Sequence, residues 1–340
     1  MIRPRVISFT MSNPKGQHFI PRLHLQHFAG VQPKGHVWTY TKADGKKFSR
    51  MPEETAKQTH FYSVEAPDGS YDLRIEEMLA RIESTAAPIY MRLINGKIPE
   101  HQDKMDMAQF LAVMVVRTPG SRKDAAEMVG RMIQIRNYAT GVHDRAFNSL
   151  VHRIEQGEGR QLTEESRTSL RRSLIDPSGY RLELGKEWAL QHLTAADKLT
   201  PVLFQMRWRT IGAAQGFFIT SDDPVVRWVE PKTWHPIYGD HGYLNKTAVV
   251  TFPLTPKVML AMSWEDEGAN AFAGRQGVDR LNRLRALQAD EYLYAHLDHE
   301  VIRRMAVATK GSRPRMTTEG FGPKKFAATT LRRGRANRPS

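Results

Sequence analysis

The stretch Thr200-Pro-Val-Leu-Phe-Gln-Met-Arg-Trp208 decides the fold, because the spacing of apolar residues changes there. Upstream of it, Ile75, Met78, Leu79, Ile82, Ala86 and Ile89 recur at three and four residues, the period of one helix face. The helical pattern covers about 73–198, with further helices expected near 101–116, 121–138, 143–156, 163–174 and 180–197. Breaks fall at Arg117-Thr-Pro-Gly120, where Pro119 and Gly120 are expected to stop a helix, at Gly141, at Gly157 with Gly159, and at Asp176-Pro177. Downstream, five segments predict strands: Val202–Trp208 itself, Gly216-Phe-Phe-Ile-Thr220, Val225-Val-Arg-Trp-Val229, Ala248-Val-Val-Thr-Phe252 and Val258-Met-Leu-Ala-Met262. A helix near 275–289, a strand at Tyr292-Leu-Tyr-Ala295 and a helix near 298–308 close the pattern.

Toward the other end, Val37-Trp-Thr-Tyr40 and Lys47-Phe-Ser49 flank Asp44-Gly45, a pair that tolerates the positive φ of a tight hairpin turn. Strands grouped at both ends of a helical middle predict an α+β fold: an N-terminal hairpin, a helical middle, and a C-terminal, mostly antiparallel sheet with closing helices. The expected organisation is a single domain over 13–309. Residues 1–12 read as a dispensable extension, since Met11 opens a second plausible start, and 310–340 as a disordered basic tail.

The chain has 340 residues, 50 Lys and Arg against 36 Asp and Glu, and no cysteine. The absence of cysteine excludes disulfide scaffolds, thiolate metal sites and cysteine nucleophiles, and it suits a reducing compartment. No apolar run reaches the length of a membrane span and the first residues lack a signal-like apolar core, so a cytoplasmic protein without membrane association is expected. Of the net charge of +14, the tail from residue 310 carries nine cations against one anion, +8, which leaves +6 for the rest. Such a tail either aids solubility or anchors the protein to nucleic acid through salt-sensitive phosphate contacts. Composition does not choose between them, and it names no protein partner.

Three groups of residues carry candidate chemistry. Gln17, His18, Arg22, His24 and His27 crowd one short segment, where an imidazole supplies acid–base or metal chemistry and a guanidinium grips phosphate. The plainer reading has His18 bonded to backbone and leaves His24 and His27 on the surface. Ser221-Asp222-Asp223-Pro224 follows an apolar strand, a place where carboxylates serve as ligands or catalytic acids, or where Ser and Asp simply fold a turn. Of the two, Asp222 is the better site candidate. Glu76 and Glu83 lie two turns apart on one helix face, able to hold a metal or to pair with an arginine such as Arg117 or Arg22. Gln109 and Asn282 are amides on predicted helices that can point inward. Phosphate loops, dinucleotide turns, Gly-x-Ser-x-Gly elbows and His-Glu-x-x-His pairs are missing, so the corresponding enzyme classes have no support.

Several of these segments, in this order, resemble the bacterial family known as domain of unknown function 4238. The resemblance is carried by Gln17-His-Phe-Ile-Pro-Arg22, His60-Phe-Tyr62, Ile75-Glu76, Ile82-Glu83, Arg117-Thr-Pro119, Phe218-Ile-Thr-Ser-Asp-Asp-Pro224, Phe252-Pro-Leu254 and Asn282, over about 13–296. It implies a largely bacterial protein and supplies no activity, fold or catalytic assignment. A second Asp at position 223, where Asn is more usual, and the long basic tail are departures from the family pattern.

Two functions follow as expectations. One is a metal-dependent hydrolase acting on nucleic acid or nucleotides, with genome defence as one setting for it, His18 as general acid–base, Arg22 and Arg117 holding phosphate, and Glu76 and Asp222 binding magnesium or manganese. The other is a noncatalytic nucleic-acid-binding or regulatory protein in which the same residues form a structural polar cluster.

Overall fold

The computed structural model describes residues 16–31, 33–59, 74–176, 178, 191–234, 240, 242–265 and 270–313. The expected N-terminal extension, the tail from 314, the His60-Phe-Tyr62 segment and most of the helix expected near 180–197 lie outside the described residues. The chain divides into two compact units, one drawn from Met1–Arg122 and Gly185–Pro314, the other containing Lys123–Leu184.

Along the chain come β1 (Gly16–His18), α1 (Arg22–Leu25), β2 (Val37–Thr41), β3 (Lys47–Arg50), β4 (Lys57–Thr59), α2 (Arg74–Ile94) and α3 (His101–Val116). Then follow α4 (Pro119–Val142), α5 (Asp144–Glu158), α6 (Glu164–Ile175), α7 (Ala195–Gln205), β5 (Arg207–Ala213), β6 (Thr220–Ser221) and β7 (Val226–Trp228). The chain closes with β8 (Val249–Pro253), β9 (Val258–Ser263), β10 (Ala271–Ala273), α8 (Arg275–Gln288), β11 (Tyr292–Ala295) and α9 (Glu300–Ala308). The fold is α+β, as the periodicities predict.

In the first unit, α3 is apolar nearly all round and buries Met107, Phe110, Leu111, Val113 and Met114, so it occupies the core and packs against α7 and α2. The neighbouring α2 buries a single stripe, Leu79, Ala86, Ile89, Tyr90 and Leu93. The helix expected near 101–116 ends at Val116, at the break expected there, but Pro119 and Gly120 do not lie in a loop beyond it. Arg117 ends α3 in helical conformation, and Pro119 is the first residue of α4, where its missing N–H has no cost.

The deciding stretch folds differently from its local appearance. Val202 to Gln205 complete α7, and β5 starts only at Arg207. The face Ala196, Thr200 and Leu203 is buried, and that burial overrides the strand preference of Val202 and Phe204. The strand expected over Gly216–Thr220 is reduced to Thr220–Ser221. Its earlier backbone groups are bonded elsewhere: the Asn282 amide accepts from Ile219 N at 3.0 Å and donates to Phe217 O at 2.8 Å. A side chain of α8 thus replaces a neighbouring strand.

A five-stranded sheet runs β10-β5-β9-β8-β7, antiparallel except for the parallel pair β10 and β5. A four-stranded antiparallel sheet runs β3-β2-β11-β6, and β1 pairs with β4 in a small sheet of their own. The hairpin is therefore not separate. Its turn has Gly45 at φ 70°, as the Asp44-Gly45 reading requires, but β2 finds its second partner in β11, some 250 residues on. On one face of this sheet, Tyr40, Leu293 and Ala295 pack with Ala286 and Ala289 of α8 and its following turn, and with Ile302 and Ala306 of α9. On the other, Phe48, Thr39, Tyr294 and Thr220 are direct cross-strand neighbours in one row.

In the second unit, α5 buries Phe147 and Val151, with the Arg171 guanidinium 4.3 Å from the Phe147 ring and paired to Asp144 at 2.5 Å. Thr163 caps α6 by accepting from Ser166 N. No helix among the described residues is long and apolar enough to cross a membrane.

Candidate functional site

The singled-out residues fall into two hydrogen-bonded groups and a buried chain that leads from one sheet. The first group forms where β1 meets the C-terminal end of α3. Gln17, buried, donates to Glu76, and Arg117, also buried, pairs with Glu83 at 2.7 Å and donates to His18 O at 2.6 Å. The ion-pair alternative for Glu83 and Arg117 is what the structure contains. The His18 ring donates from Nδ1 to Thr55 O at 3.1 Å, and burial, helped by the Lys57 charge, lowers its pKa. Arg22 stands apart: it is exposed on α1 and pairs with none of the described residues.

The second group is built on the turn after β6. Asp222 is 3% exposed, and its carboxylate accepts from three consecutive amides: Asp290 N at 2.9 Å, Glu291 N at 2.6 Å and Tyr292 N at 2.9 Å. It thereby fixes the passage from α8 into β11. Burial pushes its pKa up to about 7 against the pull of those amides. The local turn is made by Ser221, whose hydroxyl accepts from Asp223 N and donates to Asp223 O. Asp223 accepts from Gln288 at 2.9 Å and pairs with Arg313 at 2.7 Å, both partners of the ion pair being buried. The tail boundary at residue 310 is therefore misplaced. Arg313 also donates to Gln288 O, and Lys310 reaches Ala43 O, so residues 310–313 belong to the packed structure. Arg285 lies fully buried beside this group, donating to Pro224 O and to Thr251 Oγ1, and Lys42 caps α8 by donating to Ala286 O and Ala289 O.

His24 corrects the surface reading. It is wholly buried between Phe28 and Phe252, with Nδ1 2.9 Å from Tyr90 Oη and Nε2 2.7 Å from Thr220 Oγ1. The Tyr90 hydroxyl gives its one proton to Leu254 O at 2.8 Å, so Nδ1 must donate to Tyr90 and Nε2 must accept from Thr220. The imidazole is neutral, its pKa held well below 6.5 by burial. His27 is half-buried rather than on the surface, and it stacks on Tyr90 at 4.9 Å.

This burial sets a pH dependence. Below pH 6.5 the unfolded chain binds a proton at His24 that the folded state refuses, so stability falls as pH drops, by up to about 1.4 kcal/mol per pH unit. Asp222, whose folded pKa is raised, works in the opposite sense between its ordinary value and about 7. The two are separated by comparing urea unfolding from pH 7 to 5 in wild type and His24→Gln. The variant is expected to lose less stability on acidification; equal slopes would mean that His24 does not resist protonation.

Among the described residues, no three His, Asp or Glu side chains gather where they could hold a metal ion. Glu76 and Asp222, the expected ligands, have different hydrogen-bond partners, Gln17 for one and the three amides for the other. Two cavities lie beside these groups rather than among them. One, of about 440 Å³, is lined by His101, Lys104, Phe204, Arg207, Trp208 and neighbours, with Lys104 already donating to Met206 O. The other, of about 120 Å³, opens over the Phe48–Thr39–Tyr294 row and is walled by Phe19, Thr55 and Lys57.

Sequence reading missed Tyr90, Thr220, Arg285 and Arg313. For Arg285 a signal existed, since Val278, Asn282, Arg285, Ala286 and Ala289 continue one helical stripe and mark it as inward-facing. Asn282 was singled out and is buried as an inward amide; Gln109 is only half-buried.

An α+β protein with buried polar groups tying its motif segments together is what fold and site define. A model described as protein of unknown function (DUF4238) matches residues 16–299, and the chain belongs to that family. No curated protein and no solved structure matches it.

Proposed function

We propose that the protein is a noncatalytic nucleic-acid-binding protein, its polar motif residues forming structural networks and its basic C-terminal segment supplying affinity for phosphate backbones. One observation carries this reading: apart from the exposed Arg22, the charged groups of the described motifs are engaged with the protein's own backbone and side chains. Asp222 holds three amides, Arg117 holds Glu83 and His18 O, and Asp223 holds Arg313. Groups committed in this way organise a fold rather than face a substrate. Seven Lys and Arg residues follow Pro314, against one Glu, which gives the segment its electrostatic character.

The test measures binding of duplex DNA and RNA across a salt series, for the full chain and for a chain ending at Pro314. The full chain is expected to bind with a log–log salt slope of up to about −6, if all seven cations are engaged, and the shortened chain to lose most of that binding. The same samples are assayed for cleavage with magnesium, manganese and chelator. Metal-dependent cleavage that Glu76→Gln abolishes without loss of fold would overturn the reading in favour of a hydrolase.

A further inference from the structure

The larger cavity, of about 440 Å³, lies where the link into α3 meets the end of α7, the start of β5 and the end of β9. A half-buried cation, Lys104, lines it. Its ammonium donates to Met206 O at 3.0 Å and stands 5.3 Å from the Phe204 ring and 5.6 Å from the Trp208 ring. The Trp208 ring is itself fixed, because Nε1 donates to Leu203 O at 2.9 Å. This seat orients the ammonium without giving it a counter-charge. Lys104 forms no ion pair with any described residue, and only one of its three N–H donors is spent on Met206 O. Arg207 lines the same cavity, and its guanidinium pairs with none of the described residues. Burial, and then the Arg207 charge, lower the Lys104 pKa. Two neighbouring cations with no anion between them repel, and an anionic group entering there would relieve the repulsion.

The acids of the cavity are equally uncommitted. Glu100 precedes Lys104 by four residues, the spacing of a helical ion pair, and Glu265 lies two residues beyond Ser263, the strand neighbour of Arg207. Neither carboxylate pairs with a described residue. The Ser263 hydroxyl donates to Glu265 O at 2.9 Å and so fixes the turn that carries Glu265. Next to Glu100, His101 holds φ 47°, a left-handed value that bends the chain at the entry to α3. The cavity thus keeps charges of both signs apart from one another, and Ile98, Pro99 and Phe204 add apolar lining. Its volume equals that of about fifteen waters and falls in the range of small-molecule pockets. A wholly anionic ligand would meet the two carboxylates, and a bare ion would leave the apolar lining in water.

We infer that this cavity binds a free α-amino acid with an apolar side chain, its carboxylate held by Lys104 and Arg207, its ammonium facing Glu100 and Glu265, and its side chain against Ile98, Pro99 and Phe204. The site goes beyond the electrostatic affinity proposed for the C-terminal segment, since it recognises a small zwitterion and involves no residue of that segment.

Calorimetric titration of the full chain with L-leucine, L-methionine and L-phenylalanine tests it, with 3-phenylpropionate and 2-phenylethylamine as the two single-charge analogues of phenylalanine. Saturable binding of at least one amino acid is expected, and each analogue should bind phenylalanine's site at least about tenfold more weakly than phenylalanine itself. Lys104→Met keeps an unbranched apolar stem beside the two rings and removes the charge, so it should weaken binding about tenfold or more. Arg207→Gln and Glu265→Gln, both at exposed positions, should weaken it too while leaving the thermal melting temperature unchanged. These two variants keep the test decisive if Lys104→Met lowers stability. Failure of all three amino acids to saturate by about 10 mM, or binding that none of the substitutions changes, would overturn the site. Phenylpropionate binding as tightly as phenylalanine would overturn it as well, since the carboxylates would then have no part in recognition. Salt-dependent duplex binding through the C-terminal segment is read separately and should not respond to Lys104→Met.

Discussion

Ending the chain at Thr309 destabilises the first unit by about 3–5 kcal/mol, whereas ending it at Pro314 removes none of the contacts responsible. The difference lies in Arg313. Its guanidinium pairs with Asp223 at 2.7 Å and donates to Gln288 O, in a place where both charges are out of water. Deleting the cation takes from the buried Asp223 carboxylate the guanidinium it pairs with, and breaking a buried ion pair from one side is among the most expensive defects a fold can carry. Arg313→Ala in the full chain should reproduce the loss, and Arg313→Lys should recover only part of it, since an ammonium lacks the planar fork. Urea unfolding of the four chains checks this. Equal midpoints for the chains ending at 309 and 314 would show the ion pair to be dispensable. The same contact explains a basic residue in a segment that otherwise reads as a solvated tail: one cation of that segment is part of the interior.

Asp222→Ala is expected to be the most damaging single substitution in the Ser221–Pro224 turn. It strands three consecutive backbone amides at the passage from α8 to β11, for a loss of about 3 kcal/mol or more. Asp222→Asn should rescue little. One carboxylate oxygen serves Asp290 N and the other serves both Glu291 N and Tyr292 N, so whichever way the amide is turned, its NH2 group faces at least one N–H. β11 is the strand that joins the N-terminal hairpin to β6, so loosening its start should loosen the sheet. Hydrogen exchange at Leu293 and Tyr294 would then accelerate in Asp222→Asn relative to wild type. Protection equal to wild type would mean that the carboxylate is not what holds the strand. Because the effect is on stability, loss of any activity in an Asp222 variant would not by itself place Asp222 in a catalytic site.

The fold class was legible because periodicity is a local property. Apolar residues three and four apart on α2, and the β-branched run at Val249–Phe252, announce their elements without reference to anything distant. The family membership was legible in the same way, through motif segments whose order along the chain can be read directly. Local reading failed where a distant partner outweighed local preference. Val202–Gln205 is helical because it buries one face in the core, and the strand before Ser221 is cut short because Asn282, more than sixty residues on, takes its backbone bonds.

The candidate site was legible only as a set of residue types. Local reading is enough to show which polar residues stand out, that a helical middle lies between groups of strands, and that the charge is concentrated toward one end. Tertiary structure alone decided what those residues do: that His24 is a neutral link between Thr220 and Tyr90, that Arg117 belongs to Glu83, and that Arg313 lies inside. The reason is physical. Periodicity reports on neighbours within a turn or a strand, while a buried polar atom's role depends on which donor or acceptor the folded chain brings within about 3 Å of it, and those partners lie anywhere in the sequence.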